Sequence, residues 1–188
     1  VTGCSGTQTC NPATCDWRPC DFGPSPANDT CAGAIDITAA GTYTGATCAA
    51  TGDYGASCGS GAVGPDVVYR LTLTIAADVT LDTVGSTYDA ALHLRSSASC
   101  PGTELACDDN AAGGSPGQAR IFRNLAAGSY WIIVDGVGAG GRGNYVLNVG
   151  ISSTPPPVND ACSGAIDISA GGTFTGSTAV ATDDHSYS

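Results

Sequence analysis

Between Asn28 and Ile151 the chain never holds a helical period. Short runs that alternate apolar and polar residues follow one another, separated by Gly, Asn and Asp. Nine runs stand out: AIDI (34–37), GTYTGAT (41–47), DVVYRLTLTI (66–75), DVTLDTV (78–84), AALHLRS (90–96), TELACD (103–108), ARIFRNL (119–125), GSYWIIVDG (128–136) and GNYVLNVGI (143–151). In the third, Val67, Tyr69, Leu71 and Leu73 share one face while Val68, Arg70, Thr72 and Thr74 share the other, as in a half-buried strand. In the eighth, Tyr130, Ile132 and Val134 oppose Trp131 and Ile133, so that run is expected in the middle of a sheet with both faces covered. Many short strands without helices predict an all-β fold, a two-sheet antiparallel sandwich.

Composition narrows the setting. The chain has 188 residues, 27 of them Gly, with no Met and a net charge of −11. Lys is absent and Glu104 is the one glutamate. Such acidity disfavours nucleic acid and anionic membranes as partners and suits divalent cations. No apolar run reaches the ~18–20 residues of a membrane span, and no signal peptide heads the sequence as given. Without Met, the chain is expected to be a processed product or a segment of something longer. Ten Cys with no CxxC pair point to an extracellular, disulfide-stapled protein; reduced, buried cysteines are the alternative.

The stretch CSGTQTCNPATCDWRPC carries Cys4, Cys10, Cys15 and Cys20 with almost nothing apolar to bury, so it needs disulfides to hold a shape. With Gln8 and Trp17 it resembles the end of a small Cys-rich repeat of secreted and surface proteins in myxobacteria and related bacteria. The start of that module is missing. Proline then marks two linkers, residues 24–27 and 152–158, the second stiffened by three consecutive prolines. After the second linker the chain repeats itself: NDTCAGAIDITAAGTYTG from Asn28 returns as NDACSGAIDISAGGTFTG from Asn159. Across Asn28 to Ser57 and its copy, roughly 60% of positions match. The expected organisation is therefore a partial Cys-rich module (1–23), a linker (24–27), a sandwich (28–151), a Pro-rich linker (152–158) and the start of a second sandwich (159–188).

The ordered motifs NDTC, PDVVYRLTL, YDAALHLR, CPGTELACDDN, LAAGSYWIIVDG and GNYVLNVG resemble the bacterial pre-peptidase C-terminal domain over about 120 residues. The resemblance implies a small, calcium-dependent, jelly-roll-like β-sandwich of the kind attached to secreted proteases or strung in tandem in surface proteins. Carried over by position, it implies calcium ligands at Asn28, Asp29 and Asp66. Where that family usually supplies Glu, two residues before the Asn, this chain has Pro26, so the site is expected to be weaker or to recruit carbonyls and water. From the residues alone, Asn28 and Asp29 are equally suited to cap a turn.

CDDN (107–110), beside a Gly-rich loop, places Asp108 and Asp109 where a second ion or a tight turn would use their oxygens. Cys100 and Cys107 bracket a short turn, so a hairpin-closing disulfide is expected between them. Cys31 is expected to pair with Cys58, because its copy Cys162 would find a matching partner just past Ser188. Cys48 is replaced by Ala179 in the copy, so its partner is sought in the N-terminal Cys-rich segment or in another chain.

GASCG (55–59) fits the G-x-S-x-G pattern, with His93 as an imaginable base. That pattern needs a strand, a sharp turn and a helix, and no helix follows here. No catalytic residue is assigned, and His93, between Leu92 and Leu94, is expected to face outward. His185 belongs to the incomplete copy. NDT (28–30) is formally a glycosylation acceptor, and Ser and Thr around SSTPPP suit O-linked sugar better.

These features predict a non-enzymatic structural or adhesive repeat module of an extracellular bacterial surface protein or fibre. Self-association or neighbouring repeats are the expected partners, with Asn159, Ile166, Ile168 and Phe174 in a polymerising segment. The alternative is an accessory domain of a secreted peptidase or hydrolase that binds substrate or an extracellular polysaccharide.

Overall fold

The computed structural model describes residues 4, 22–59, 63–96, 98–114, 117–153, 155–176, 178 and 181. Most of the N-terminal Cys-rich stretch, including Cys10, Cys15, Trp17 and Cys20, lies outside the described residues, as do Thr154 of SSTPPP and His185.

Among the described residues nine strands form: β1 (Ile35–Ile37), β2 (Gly41–Ala46), β3 (Val67–Leu73), β4 (Ala77–Asp82), β5 (Ala90–Ser96), β6 (Thr103–Asp108), β7 (Arg120–Leu125), β8 (Gly128–Gly136) and β9 (Asn144–Ser152). Each coincides with one of the nine runs of the sequence to within two residues. They make a five-stranded sheet in the order β1-β3-β8-β5-β6 and a four-stranded sheet in the order β2-β9-β4-β7. Pairing is antiparallel throughout except for β1, which runs parallel to β3. The chain is an all-β sandwich.

The period-two pattern accounts for the core. Val67, Tyr69 and Leu71 on β3, Leu92 and Leu94 on β5, and Ile132 and Val134 on β8 point inward from one sheet. Val79 and Leu81 on β4 and Leu147 on β9 meet them from the other, and all ten are at most 2% exposed. Each such side chain contributes roughly 1.5–3 kcal/mol relative to exposure. At one side of this core Tyr69 and Tyr145 touch hydroxyl to hydroxyl at 2.7 Å, and the Tyr43 ring packs edge-on against Tyr69. Gly45 makes room there, because a Cβ at that position would strike the Tyr145 ring.

Strand β8 is central, as its two apolar faces require. Its inner face joins the core, and its outer face places Trp131 and Ile133 with Val68 in a second, smaller cluster. The segment that follows β2 reaches that cluster and packs Tyr54 on it. The outer face of the five-stranded sheet is therefore covered around these residues, while Arg70 and Thr72 farther along β3 stay exposed.

The repeated segment supplies an edge strand to each sheet, β1 to one and β2 to the other. Asn28 seats it: its carbonyl accepts the Val68 amide at 2.8 Å, and its side-chain amide donates to the Val68 carbonyl at 3.3 Å. The copy reproduces the local turn but not the strands. Cys31–Gly33 and Cys162–Gly164 are both single 3-10 turns, preceded by matching bonds from Asp29 N to Pro26 O and from Asp160 N to Pro157 O. After that turn the copy forms no strand among its described residues. Ile37 is 4% exposed, whereas its counterpart Ile168 is 63% exposed.

Candidate functional site

The carboxylates implied as metal ligands by the resemblance, Asp29 and Asp66, gather at the start of β3, where the Asp66 amide donates to the Thr51 carbonyl at 2.9 Å. Asp29 Oδ1 accepts the Thr51 amide at 2.8 Å. The Thr51 hydroxyl lies 3.2 Å from Asp29 Oδ2 and 2.7 Å from Asp53 Oδ2. Asp66 Oδ2 accepts the amides of Asp53 and Tyr54, while Asp66 Oδ1 is buried without a hydrogen-bond partner. Burial, opposed by those two amides, pushes the Asp66 carboxyl up to about 7. Asn28, Asp29 and Asp66 thus sit in one neighbourhood, joined by Thr51 and Asp53, which the sequence did not single out.

Whether calcium fits is a question of free oxygens, since the ion takes six to eight of them. Asp29 and Asp66 each give oxygens to backbone amides, and Asn28 directs its amide nitrogen at Val68. Among the described residues, no group of three or more His, Cys, Asp or Glu is arranged to hold a metal. A complete protein cage is therefore not formed at this corner.

Beside Asp66 lies a second buried acid. The register that pairs Val67 with Val134 sets Asp66 next to Asp135 one step further along β3 and β8. Both are fully buried, and Asp135 Oδ2 lies 3.4 Å from Nε2 of His93, itself 0% exposed. Burial raises the Asp135 carboxyl above the usual range, against the opposing pull of His93 and of the Gly136 and Gly64 amides. His93 does point away from the core, as its alternation with Leu92 and Leu94 requires. It is not solvent-facing, however, because this side of the sheet is covered. Asp135 was missed by the sequence reading; its mirror position to Asp66 at the end of the apolar run was the available signal.

At CDDN, Asp108 Oδ2 accepts the amides of Ala111 and Arg120 and so serves as the cap of a turn. Asp89 and Asn110 converge over Gly117, where a Cβ would collide with both side-chain oxygens, and Asp109 is close enough to help burial raise Asp89.

The disulfides correct two expected pairings. Cys31 bonds Cys100 and Cys58 bonds Cys107, so the hairpin bridge Cys100–Cys107 and the bridge Cys31–Cys58 are not formed. The reason is topological. Cys107 stands on β6 opposite His93 and faces the covering segment, whereas Cys100 in the β5–β6 turn meets the segment that leads into β1. Cys48 bonds Cys4, which places its partner in the N-terminal Cys-rich segment. Cys162 is exposed and lies outside these three bridges.

In GASCG, Ser57 bonds Glu104 through its hydroxyl and, at 3.1 Å, through its amide, and the neighbouring Cys58 is tied to Cys107. Burial acts to raise Glu104, but these bonds, with His93 and Arg95 nearby, outweigh it and hold the carboxyl low. Of the expected polymerising segment, Ile166, Ile168 and Phe174 are 50%, 63% and 52% exposed, and Asn159 is exposed where its counterpart Asn28 is buried.

No protein-family model and no curated protein matches the chain. Among solved structures it is similar to the pre-peptidase C-terminal domain of collagenase from Bacillus anthracis, at 18% identity over 62% of this chain and 94% of that one, with a TM-score of 0.42. It is also similar to PliG of Aeromonas hydrophila, a periplasmic inhibitor of g-type lysozyme, at 17% identity over 63% and 96% of the two chains, with a TM-score of 0.43.

Proposed function

We propose that the chain is a non-enzymatic structural and adhesive module of an extracellular bacterial surface protein or fibre, stabilised by calcium and assembled through its own repeats. The observation that carries this reading is the contrast between the two copies of one segment. The first copy closes an edge of each sheet, while the second keeps the same 3-10 turn and leaves Ile166, Ile168 and Phe174 open to solvent. An apolar edge segment that is locally shaped but uncovered is a surface for another sandwich, by strand addition. Three disulfides support an oxidising, extracellular or envelope location. Calcium is proposed at the Asp29–Thr51–Asp53 corner, with carbonyls and water completing the shell.

Sedimentation and electron microscopy of the intact chain test the assembly. Concentration-dependent oligomers or fibres, weakened by Ile168→Asp together with Phe174→Asp, are the expected result. A monodisperse monomer whose segment 159–188 is readily cut by protease would overturn it. The reading as a polysaccharide-binding accessory domain is favoured by a different feature, the uncovered face of the four-stranded sheet.

A further inference from the structure

The two outer faces of the sandwich differ. The five-stranded sheet is covered over Val68, Trp131 and Ile133, with Tyr54 packed on them, whereas the outer face of the four-stranded sheet is open, with Asp78, Arg120, Phe122, Asn124 and Gly150 all exposed. Its register orders the outward side chains into rows. Gly150, Thr80 and Phe122 form the middle row across β9, β4 and β7. Two small residues thus make a shallow trough that ends at an aromatic ring 60% exposed.

Polar rails flank the trough. On one side the Thr42 hydroxyl donates to Asn148 Oδ1 at 2.9 Å, and Asn148 Nδ2 donates to Asp82 Oδ1 at 2.7 Å. On the other, Asn124 Nδ2 donates to Asp78 Oδ1 at 2.8 Å. The rails stand four residues apart along β4, roughly 14 Å at about 3.4 Å per residue, with the trough midway. Their planar groups are already held by one another, so engaging a ligand costs little further side-chain ordering.

We infer that this face binds a neutral polysaccharide, a sugar ring lying on Phe122 and hydroxyls reaching the amide and carboxylate rails. A protein partner fits poorly, because stable interfaces have an apolar, aromatic-rich centre and here one large apolar side chain stands among charged and amide groups. Anionic polymers are disfavoured by the net charge of −11 and by Asp78 and Asp82, which outnumber Arg120 in the outward rows of β4 and β7. The inference deepens the accessory-domain reading and rests on the chain being a non-catalytic module.

The intact chain is mixed with insoluble cellulose, chitin and a β-1,3-glucan, with alginate as the anionic control, at physiological salt. Retention on at least one neutral polymer and none on alginate is expected. Phe122→Ala should lower retention about tenfold, the equivalent of about 1.4 kcal/mol. Gly150→Val should act in the same direction by filling the trough, since a Cβ there meets Thr80 at an ordinary 3.5 Å. Both variants should keep the wild-type melting temperature. Failure to bind any of the three neutral polymers, or equal retention of the Phe122→Ala variant, overturns the inference. Release of soluble sugar would instead overturn the non-catalytic reading, whatever the retention.

Discussion

Asp29 gives one oxygen to the Thr51 amide and the other to the Thr51 hydroxyl, which also lies 2.7 Å from Asp53 Oδ2. Two carboxylates brought to one hydroxyl repel each other in the folded chain unless a cation sits near them. If calcium stabilises the fold, a concentration about 100 times its Kd adds ~2.7 kcal/mol, which moves the melting temperature of a domain this size by about 5–10 °C. Adding a chelator to the wild-type protein should therefore lower its melting temperature by that amount. The Asp29→Ala variant should melt lower from the outset, having lost its bonds to Thr51, and should not respond to chelator. A wild-type curve unmoved by chelation would remove calcium and leave Asp29 as a turn-former. At this scale the sequence was half legible. Asp29 and Asp66 stand beside recognisable strands, and motif resemblance could reach them. Thr51 and Asp53 lie in a segment without period, whose path is set by distant disulfides.

The covering segment, described over residues 47–59 and 63–66, contains no strand. Disulfides fix its two ends of travel: Cys58–Cys107 ties it to β6, and Cys48–Cys4 ties it to the N-terminal segment. Beneath it lie Val68, Trp131, Ile133 and the buried His93. Replacing Cys58 and Cys107 together by Ala should cost about 2–5 kcal/mol and make the segment the first site of limited proteolysis. The inner core does not depend on that bridge, so the double variant should still unfold in one cooperative transition. Unchanged stability and protease resistance would show that the segment is held by its hydrogen bonds to Asp29, Asp66 and Glu104 instead. The strands themselves were legible, since period two survives in any sandwich; β8 even revealed its central place. The partners of Cys31, Cys58, Cys100 and Cys107 were not, because they depend on sheet order, and nothing in their spacing shows that the segment leading into β1 and the β5–β6 turn are neighbours on one face.

At the scale of the whole molecule, four acidic groups among the described residues act in two opposed sets. Asp66 and Asp135 are buried side by side with their carboxyls raised, Asp66 to about 7. Asp36 is held low by its paired bonds to Arg70, and Glu104 is held low by Ser57 against the effect of burial. A raised carboxyl binds its proton more tightly in the folded state than in the unfolded one. Between the unfolded value near 3.8 and the folded value, stability therefore falls as pH rises, and the cost is fully present above about 7. For Asp36 and Glu104 the sign reverses: their contribution is present above the unfolded value and is lost as pH falls through their depressed folded values. Self-repulsion of a chain with a net charge of −11 and a pI near 4.1 weakens in the same direction as the first set. In chelator-containing buffer the melting temperature should accordingly rise as pH is lowered from 8 to about 5, then fall below about 4. Asp66→Asn removes one of the two buried charges and should flatten the rise between pH 8 and 5 while leaving the acid limb in place. A melting temperature that is highest at neutral pH and falls steadily with acid would mean that the Asp66–Asp135 pair is ionised at little cost, through solvent or a cation reaching it from the Thr51 side.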